Sequence, residues 1–349
     1  MKFKKSLVAL VLGAVLLLSQ SAYAGAEYYN TEEYCFLSTP LNENKTVYLG
    51  GQTVGVALYT KGLLISDITA IETESKFITP ANGTGLKKGD YILSANGIEM
   101  DDVSNMDAVL LNSKGEKIKL HAVRGEKEFD TEIIPVKCVK DDRYRLGLWL
   151  RDSAAGLGTV TYVDPDNNSF MALGHSICDS MSGELMSVRD GRIVECTVTG
   201  IQKGEKNKAG ELKGVFGVNA LQLGEIKDNR KFGLSGTVNG EFDHGESVAV
   251  GNKNEVHEGE AFIYSDFETG DVKKYDVEIV HVNSQTYPSE KSFVFKVVDE
   301  GLIEKTGGIL QGMSGSPIVQ DGKLIGAVTH VMLSDPSRGY GVFLEWMAA

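Results

Sequence analysis

From residue 138 onward the chain is a succession of short apolar-alternating runs, too brief for helices and regularly interrupted by turn residues. The runs fall at 158–163, 169–173, 193–200, 215–218, 247–250, 260–264, 275–282, 292–298 and 323–330. Between them stand Asn, Asp, Gly and Pro, as in Asp164-Pro165-Asp166-Asn167-Asn168. Asn and Asp side chains bond their own backbone and Pro presets φ, so such clusters end one strand and turn the chain into the next. Many short strands at regular spacing predict a sandwich or a barrel. The 40 glycines, against 7 prolines, are scattered among these runs, which describes a turn-rich β protein rather than a disordered one.

Inside this β region lies Gln311-Gly312-Met313-Ser314-Gly315-Ser316-Pro317, followed by the apolar pair Ile318-Val319. Gly312 and Gly315 permit torsions and close approaches that a side chain forbids. Such a turn can expose the Ser314 hydroxyl and aim the N–H groups of Gly312 and Ser314 at one point. Two converging N–H groups form an oxyanion hole, often the largest catalytic contribution in acyl transfer. Taken alone, the same residues would also suit a Gly/Ser-rich hairpin turn.

At 349 residues, and roughly 150 per domain, two domains and a leader are expected. The formal net charge of -13 repels nucleic acid and anionic headgroups, which argues against both as partners. No zinc-type Cys/His spacing, Walker loop or GxGxxG occurs, so no metal or cofactor is expected. Residues 1–24 read as a secretory signal peptide. Lys2, Lys4 and Lys5 precede an apolar stretch from Leu7 to Leu18, and Ala22-Tyr23-Ala24 has the small-x-small form of a cleavage site. The apolar stretch is short for a membrane span, which needs about 20 residues, though an uncleaved anchor stays open. An extracytoplasmic protein follows, in which Cys35, Cys138, Cys178 and Cys196 are permitted but not forced to pair.

Residues 25–45 are polar and aperiodic and read as an exposed arm, open to proteolysis. Residues 46–136 read as a compact α+β module. Gly85-Leu86-Lys87-Lys88-Gly89-Asp90-Tyr91-Ile92-Leu93-Ser94-Ala95-Asn96-Gly97 predicts a Gly-Asp turn, a strand and an Asn-Gly hairpin. Asp102 or Ser104 would cap a helix carrying Met106, Val109 and Leu110 at helical spacing, and two closing strands follow. The pattern L-x-x-G-D-x-I-L-x-x-N-G in this order resembles a PDZ domain. The resemblance implies that Val54, Gly55, Val56 and Ala57 form the loop receiving a peptide C-terminus or a segment of the chain itself, added as a strand.

A serine needs a base, itself held by a third group. Of six histidines, His121 lies in a PDZ strand, His244 and His257 in polar turns, and His281 in a β run that reads as packed. His175 follows the strand-like Phe170-Met171-Ala172-Leu173 and a glycine, the position from which a strand tip presents a base. His330, at the end of the strand after the serine turn, competes with it or lines the pocket.

The segments 171–177, 304–318 and 326–331, with Gly339-Tyr340-Gly341 and Glu345-Trp346-Met347, are similar to the SpoIVB family. These stage IV sporulation serine peptidases carry a signal segment, a PDZ domain and a chymotrypsin-like double β-barrel peptidase domain, here 137–349. The resemblance implies His175 as general base, Ser314 as nucleophile and Asp299 as third residue. An aspartate so near the serine departs from the usual chymotrypsin-like placement, and Asp179 and Asp243 are alternative carboxylates. Met313 stands where digestive enzymes carry an activating aspartate, so control is expected through the PDZ domain. The resemblance implies cleavage of a membrane-associated regulatory protein between forespore and mother cell. A non-catalytic PDZ adaptor with a degenerate barrel is the alternative. A quality-control protease of the HtrA type has the opposite domain order.

Overall fold

The structure, a computed structural model, describes residues 45–217, 219–267 and 270–348. The expected signal peptide and all but the last residue of the arm lie outside them. Half of the described residues are strand and 8% helix, so the fold is mainly β.

Strand β1 (Thr46–Leu49) leads through Gly50-Gly51 into β2 (Thr53–Ile68), a single strand of 16 residues. The second half of β2 begins after Gly62, whose φ is +83°, and pairs through Leu63 and Leu64 with Ile92 and Tyr91 of β3 (Tyr91–Ala95). Asn96 and Gly97 then both take positive φ, as a two-residue type I′ hairpin turn requires. Asp102 accepts the Ser104 N–H at 2.7 Å and caps α1 (Val103–Ser113), which buries Met106 and Val109. Strands β4 (Ile118–Arg124) and β5 (Lys127–Ile133) close the unit in antiparallel register. Leu63, Ile65, Ile92, Met106, Val109, Ile118 and Ile133 share one core. Cap, helix and hairpin all stand where the sequence predicts them.

The chain returns along β6 (Leu148–Val163), also 16 residues, antiparallel to β2 from Leu148 opposite Ile68 to Thr159 opposite Thr53. Its early residues Leu148 and Leu150 pack on the PDZ core, and its late residues Val160 and Val163 in a second core. That second core is enclosed by β7 (Ser169–Ala172), β8 (Asp190–Val194), β9 (Gln222–Arg230) and β10 (Gly233–Val238). The pairings run β2 to β6, β7, β10, β9, β8 and back to β2, closing a six-stranded barrel. Strand β11 (Ser247–Val250) joins β1 to the far lobe. There β12 (Gly259–Ser265), β13 (Lys273–Val282), β14 (Phe293–Val297), β15 (Pro317–Gln320), β16 (Lys323–Val331) and β17 (Arg338–Phe343) close a second six-stranded barrel. Helix α2 (Glu300–Thr306) connects β14 to the serine turn. The expected double barrel is thus present, each half around its own core. Closure leaves no free sheet edge within either ring.

Two expectations need correction. The division into 46–136 and 137–349 does not hold in space, because residues 53–59 are barrel strand and residues 148–151 extend the PDZ sheet. The PDZ unit is therefore an insertion between two strands of the first barrel. The second correction concerns the expected peptide-binding loop. Val54, Gly55, Val56 and Ala57 lie within β2, all four paired with β6 on one side and Gly55, Val56 and Ala57 also with β8 on the other. Their backbone groups are engaged in those two ladders rather than offered to an incoming peptide. Gly55 is a packing glycine: a Cβ there would stand 2.5 Å from the Phe216 ring and 2.8 Å from Val194. The continuous apolar run, read as a loop by resemblance, is what a strand buried on both faces requires.

Candidate active site

The barrels meet at the serine turn, held by hydroxyls of β6. Thr159 N–H donates to Ser314 O at 3.0 Å, Thr159 Oγ1 to Gly312 O at 2.9 Å, and Thr161 Oγ1 to Gly315 O at 2.7 Å. Both threonines are fully buried, so each bond is made away from competing water. From the other barrel, Val328 O accepts the Gly315 N–H at 2.8 Å. Within the turn, Met313 N–H bonds Leu310 O and Ser316 N–H bonds Met313 O. None of these bonds uses the N–H of Gly312 or Ser314, the two expected to form the oxyanion hole. Met313 is buried in the core of the second barrel, which explains an apolar residue at that place.

Gly312 has φ +101° and Gly315 φ +96°, in the region open to glycine. At Gly315 space matters as much as torsion. A Cβ there would stand 2.1 Å from Thr159 O and 2.4 Å from Leu173 N. The serine turn therefore rests directly against the end of β7, the strand that presents His175.

That strand ends abruptly. Leu173 and Gly174 both adopt positive φ, +70° and +69°, and Leu173 pays a steric cost that glycine does not. Its N–H bonds Thr159 O at 3.2 Å, the same threonine that holds Ser314. A Cβ on Gly174 would meet Thr329 Cγ2 at 3.1 Å. His175 thus leaves the first barrel beside residues 329 and 330 of the second.

His175 Nδ1 stands 2.9 Å from Ser176 O. A carbonyl only accepts, so Nδ1 carries the proton and Nε2 keeps its lone pair. Burial, only partly offset by the Ser176 carbonyl, lowers the His175 pKa below the ordinary histidine value and keeps the ring neutral. A neutral imidazole with a free Nε2 is the form a general base needs. The His330 ring lies 5.2 Å away, centroid to centroid. Burial first, then His175 and Lys291, push its pKa down to about 3. Its Nδ1 is buried without a partner, and its Nε2 is 4.0 Å from Glu290. The Ser314 hydroxyl donates to Thr329 O at 2.9 Å, next to His330.

The structure thus brings together the elements carrying His175, Ser314 and His330, but it gives the expected carboxylates other partners. Asp299 caps α2, accepting the Leu302 N–H at 2.7 Å. The group at His175 Nδ1 is the Ser176 carbonyl, not Asp299. An aspartate two residues beyond a strand and at the head of a helix satisfies the orphan N–H groups there, which accounts for it structurally. Asp243 is exposed and contributes its backbone carbonyl to Gln52. Asp179 is buried and bonded into the loop that follows His175. His281, expected to be packed, is exposed. Cys138, Cys178 and Cys196 are free thiols.

Sequence reasoning missed Thr159, Thr161 and Glu290. Threonines in a β-rich run carry no sign that their hydroxyls hold a turn 150 residues away. Glu290, whose pKa burial raises despite Lys231 and Lys291, lies in a polar stretch with no motif.

Comparison with known proteins decides the family. The SpoIVB peptidase S55 family matches residues 142–348, more than half of the chain. The chain belongs to the SpoIVB peptidase S55 family. A PDZ domain matches residues 52–134. The protein is therefore a PDZ-containing serine peptidase of that family. A putative zinc metalloprotease, LL2128, from Lactococcus lactis subsp. lactis (strain IL1403) is 34% identical over 93 residues, 27% of this chain. The match covers 21% of that relative's length, and no property of its remainder transfers. Among solved structures, the active form of the Rv3671c protease from M. tuberculosis is similar at 10% identity and TM-score 0.34, over 56% of this chain and 72% of that one. The inactive form has TM-score 0.30 at the same identity, covering 55% and 81%.

Proposed function

We propose that the protein is a PDZ-regulated serine endopeptidase with His175 as general base and Ser314 as nucleophile. The carrying observation is the convergence just described: Thr159 fastens both the Ser314 turn and the residue before Gly174-His175. His175 Nε2 takes the hydroxyl proton as Ser314 Oγ attacks the scissile carbonyl, and later returns it to the leaving amine. The N–H groups of Gly312 and Ser314 receive the developing oxyanion. The Ser176 carbonyl selects the histidine tautomer, the part an aspartate plays elsewhere, but without a full charge to stabilise the imidazolium. Asp299, the third residue implied by resemblance, supports the loop from the head of α2.

The substrate class follows from family and compartment. The leader expected over 1–24 supports a site of action outside the cytoplasm, and the family resemblance supports the space between forespore and mother cell. There it would cut a membrane-associated regulatory protein and so relay a signal during sporulation. The arm at 25–45 is the segment offered for self-cleavage. The non-catalytic adaptor makes the opposite prediction at Ser314.

The test compares residues 25–349 with the Ser314→Ala variant, by fluorophosphonate labelling and by mass spectrometry after incubation. Wild-type protein is expected to label and to shorten at its N-terminus, with the variant doing neither. Folded wild-type protein that neither labels nor shortens would leave the adaptor or a peptidase held latent by its PDZ domain, which repeating the test on protein lacking that domain would separate.

A further inference from the structure

The loop that follows His175 is held by two bodies. Its neck belongs to the first barrel. Met186 N–H bonds Ile177 O at 3.0 Å, and Asn229 of β9 accepts the Ile177 N–H at 2.8 Å while donating to Ile177 O and Met186 O at 2.7 and 2.8 Å. Its tip belongs to the PDZ module. Asp179, 1% exposed, accepts from the Met181 N–H, the Ser182 N–H and the Ser182 hydroxyl through Oδ1. Through Oδ2 it accepts the Ser66 hydroxyl at 3.0 Å and faces Arg151 Nε at 3.0 Å. Ser66 and Arg151 lie in the PDZ halves of β2 and β6. Beside them the Tyr91 hydroxyl of β3 donates to Leu185 O at 3.1 Å and accepts the Ser187 N–H at 3.0 Å. Glu184 packs so closely on Gly89 that a Cβ there would stand 2.7 Å from its Cγ. Burial works against an ionised Asp179, yet the Ser182, Ser66 and Arg151 groups outweigh it and hold its carboxyl below the ordinary range.

We propose that Asp179 is a positioning residue for the peptidase reaction, fastening residues 176–187 to the PDZ module and so fixing the Ser176 carbonyl that orients His175. The inference rests on the assignment of His175 and Ser314 and deepens it. Ser176 is one residue from the base and one from the neck, so a loop displaced at its tip tilts the carbonyl and rotates the imidazole. The module is then part of the mounting of the catalytic base, not a tethered accessory. A ligand that shifted β2, β3 or β6 within the module would change the base through this loop.

The experiment uses the whole of residues 25–349. Asp179→Asn keeps the side chain's size and removes its charge; Tyr91→Phe removes one hydroxyl. Arg151→Lys keeps a cation where Arg151→Ala does not. Three quantities are read: the maximal fluorophosphonate labelling rate against its half-saturating concentration, the melting temperature, and hydrogen exchange by mass spectrometry. A displacement of about 1 Å at a reacting group can cost on the order of 100-fold. Asp179→Asn is therefore expected to lower the maximal rate at least about tenfold with unchanged half-saturation. Tyr91→Phe should act in the same direction more weakly, and Arg151→Lys should retain more rate than Arg151→Ala. Exchange should rise over 176–187 and stay at the wild-type level in the barrels. Wild-type rates in Asp179→Asn and Tyr91→Phe would overturn the proposal. So would a slowed rate that merely follows a lower melting temperature and faster exchange throughout both barrels, since Asp179 would then be structural only. Wild-type protein that never labels would remove the assignment beneath the inference, a result distinguishable because wild type and Ser314→Ala would then behave alike.

Discussion

The serine turn and the histidine loop face each other, but they are secured differently. Ser314 sits in a turn held from inside the peptidase, by Thr159 and Thr161 of the first barrel and Val328 of the second. His175 leads into a loop whose neck is held by Asn229 and whose tip is held by Ser66, Tyr91 and Arg151 of the inserted module. On the proposed assignment, the nucleophile Ser314 needs only that the barrels be folded, whereas the base His175 needs, in addition, that the module be in place. An enzyme so arranged would be open to regulation through its base while the serine turn stays assembled.

Three substitutions would break or sharpen that contrast. The largest effect is expected from Gly315→Ala, because the new methyl group would enter the space held by Thr159 O and Leu173 N at a φ of +96°. A loss of about 3 kcal/mol or more is expected in denaturant unfolding, with labelling at Ser314 abolished. A folded, active Gly315→Ala protein would show that the two elements do not press together there. Thr159→Val keeps the shape and removes the hydroxyl bonded to Gly312 O. It should cost about 1 kcal/mol and a few-fold in labelling, while hydrogen exchange over 176–187 stays at wild type. Faster exchange in that loop would mean the two mounts are coupled. The smallest effect is expected from Asp299→Asn, since asparagine caps a helix about as well as aspartate. Labelling within about threefold of wild type is predicted, whereas an orienting triad aspartate loses on the order of 10⁴ when made asparagine. A loss of that size would return Asp299 to the role that resemblance implies.

The fold was largely legible in the sequence, for reasons that differ between elements. The Asn96-Gly97 turn and the Asp102 cap are local chemistry, so adjacent residues announce them. The Ser314 turn and the strand tip before His175 are likewise set by glycines within a few positions. Val54-Gly55-Val56-Ala57 misled because one pattern serves two structures. A glycine among valines suits a loop that receives a peptide, and equally a buried strand crossed closely by an aromatic ring. Only the distant Phe216 decides between them. Asp299 carries a related ambiguity: the resemblance implies it as the third residue, and in the structure its carboxylate accepts the Leu302 N–H as a helix cap. Asp179 was noticed only as a carboxylate near His175. Its partners Ser66 and Arg151 both come from strands earlier in the chain, Ser66 from 113 residues back, and no short window on the sequence contains all three.

The two long strands have a practical corollary. Tyr59 and Ser153 lie directly opposite each other in the β2–β6 ladder, at the border between barrel and insertion. Residues so paired in an antiparallel ladder are about 5 Å apart, the span closed by a two-residue turn. An Asn-Gly dipeptide joining Tyr59 to Ser153 would therefore excise the whole inserted unit while keeping every strand of both barrels. A fragment beginning at residue 137 would instead lack β2, and its first barrel could not close. The border at which this protein can be cut runs across its strands, not along its sequence.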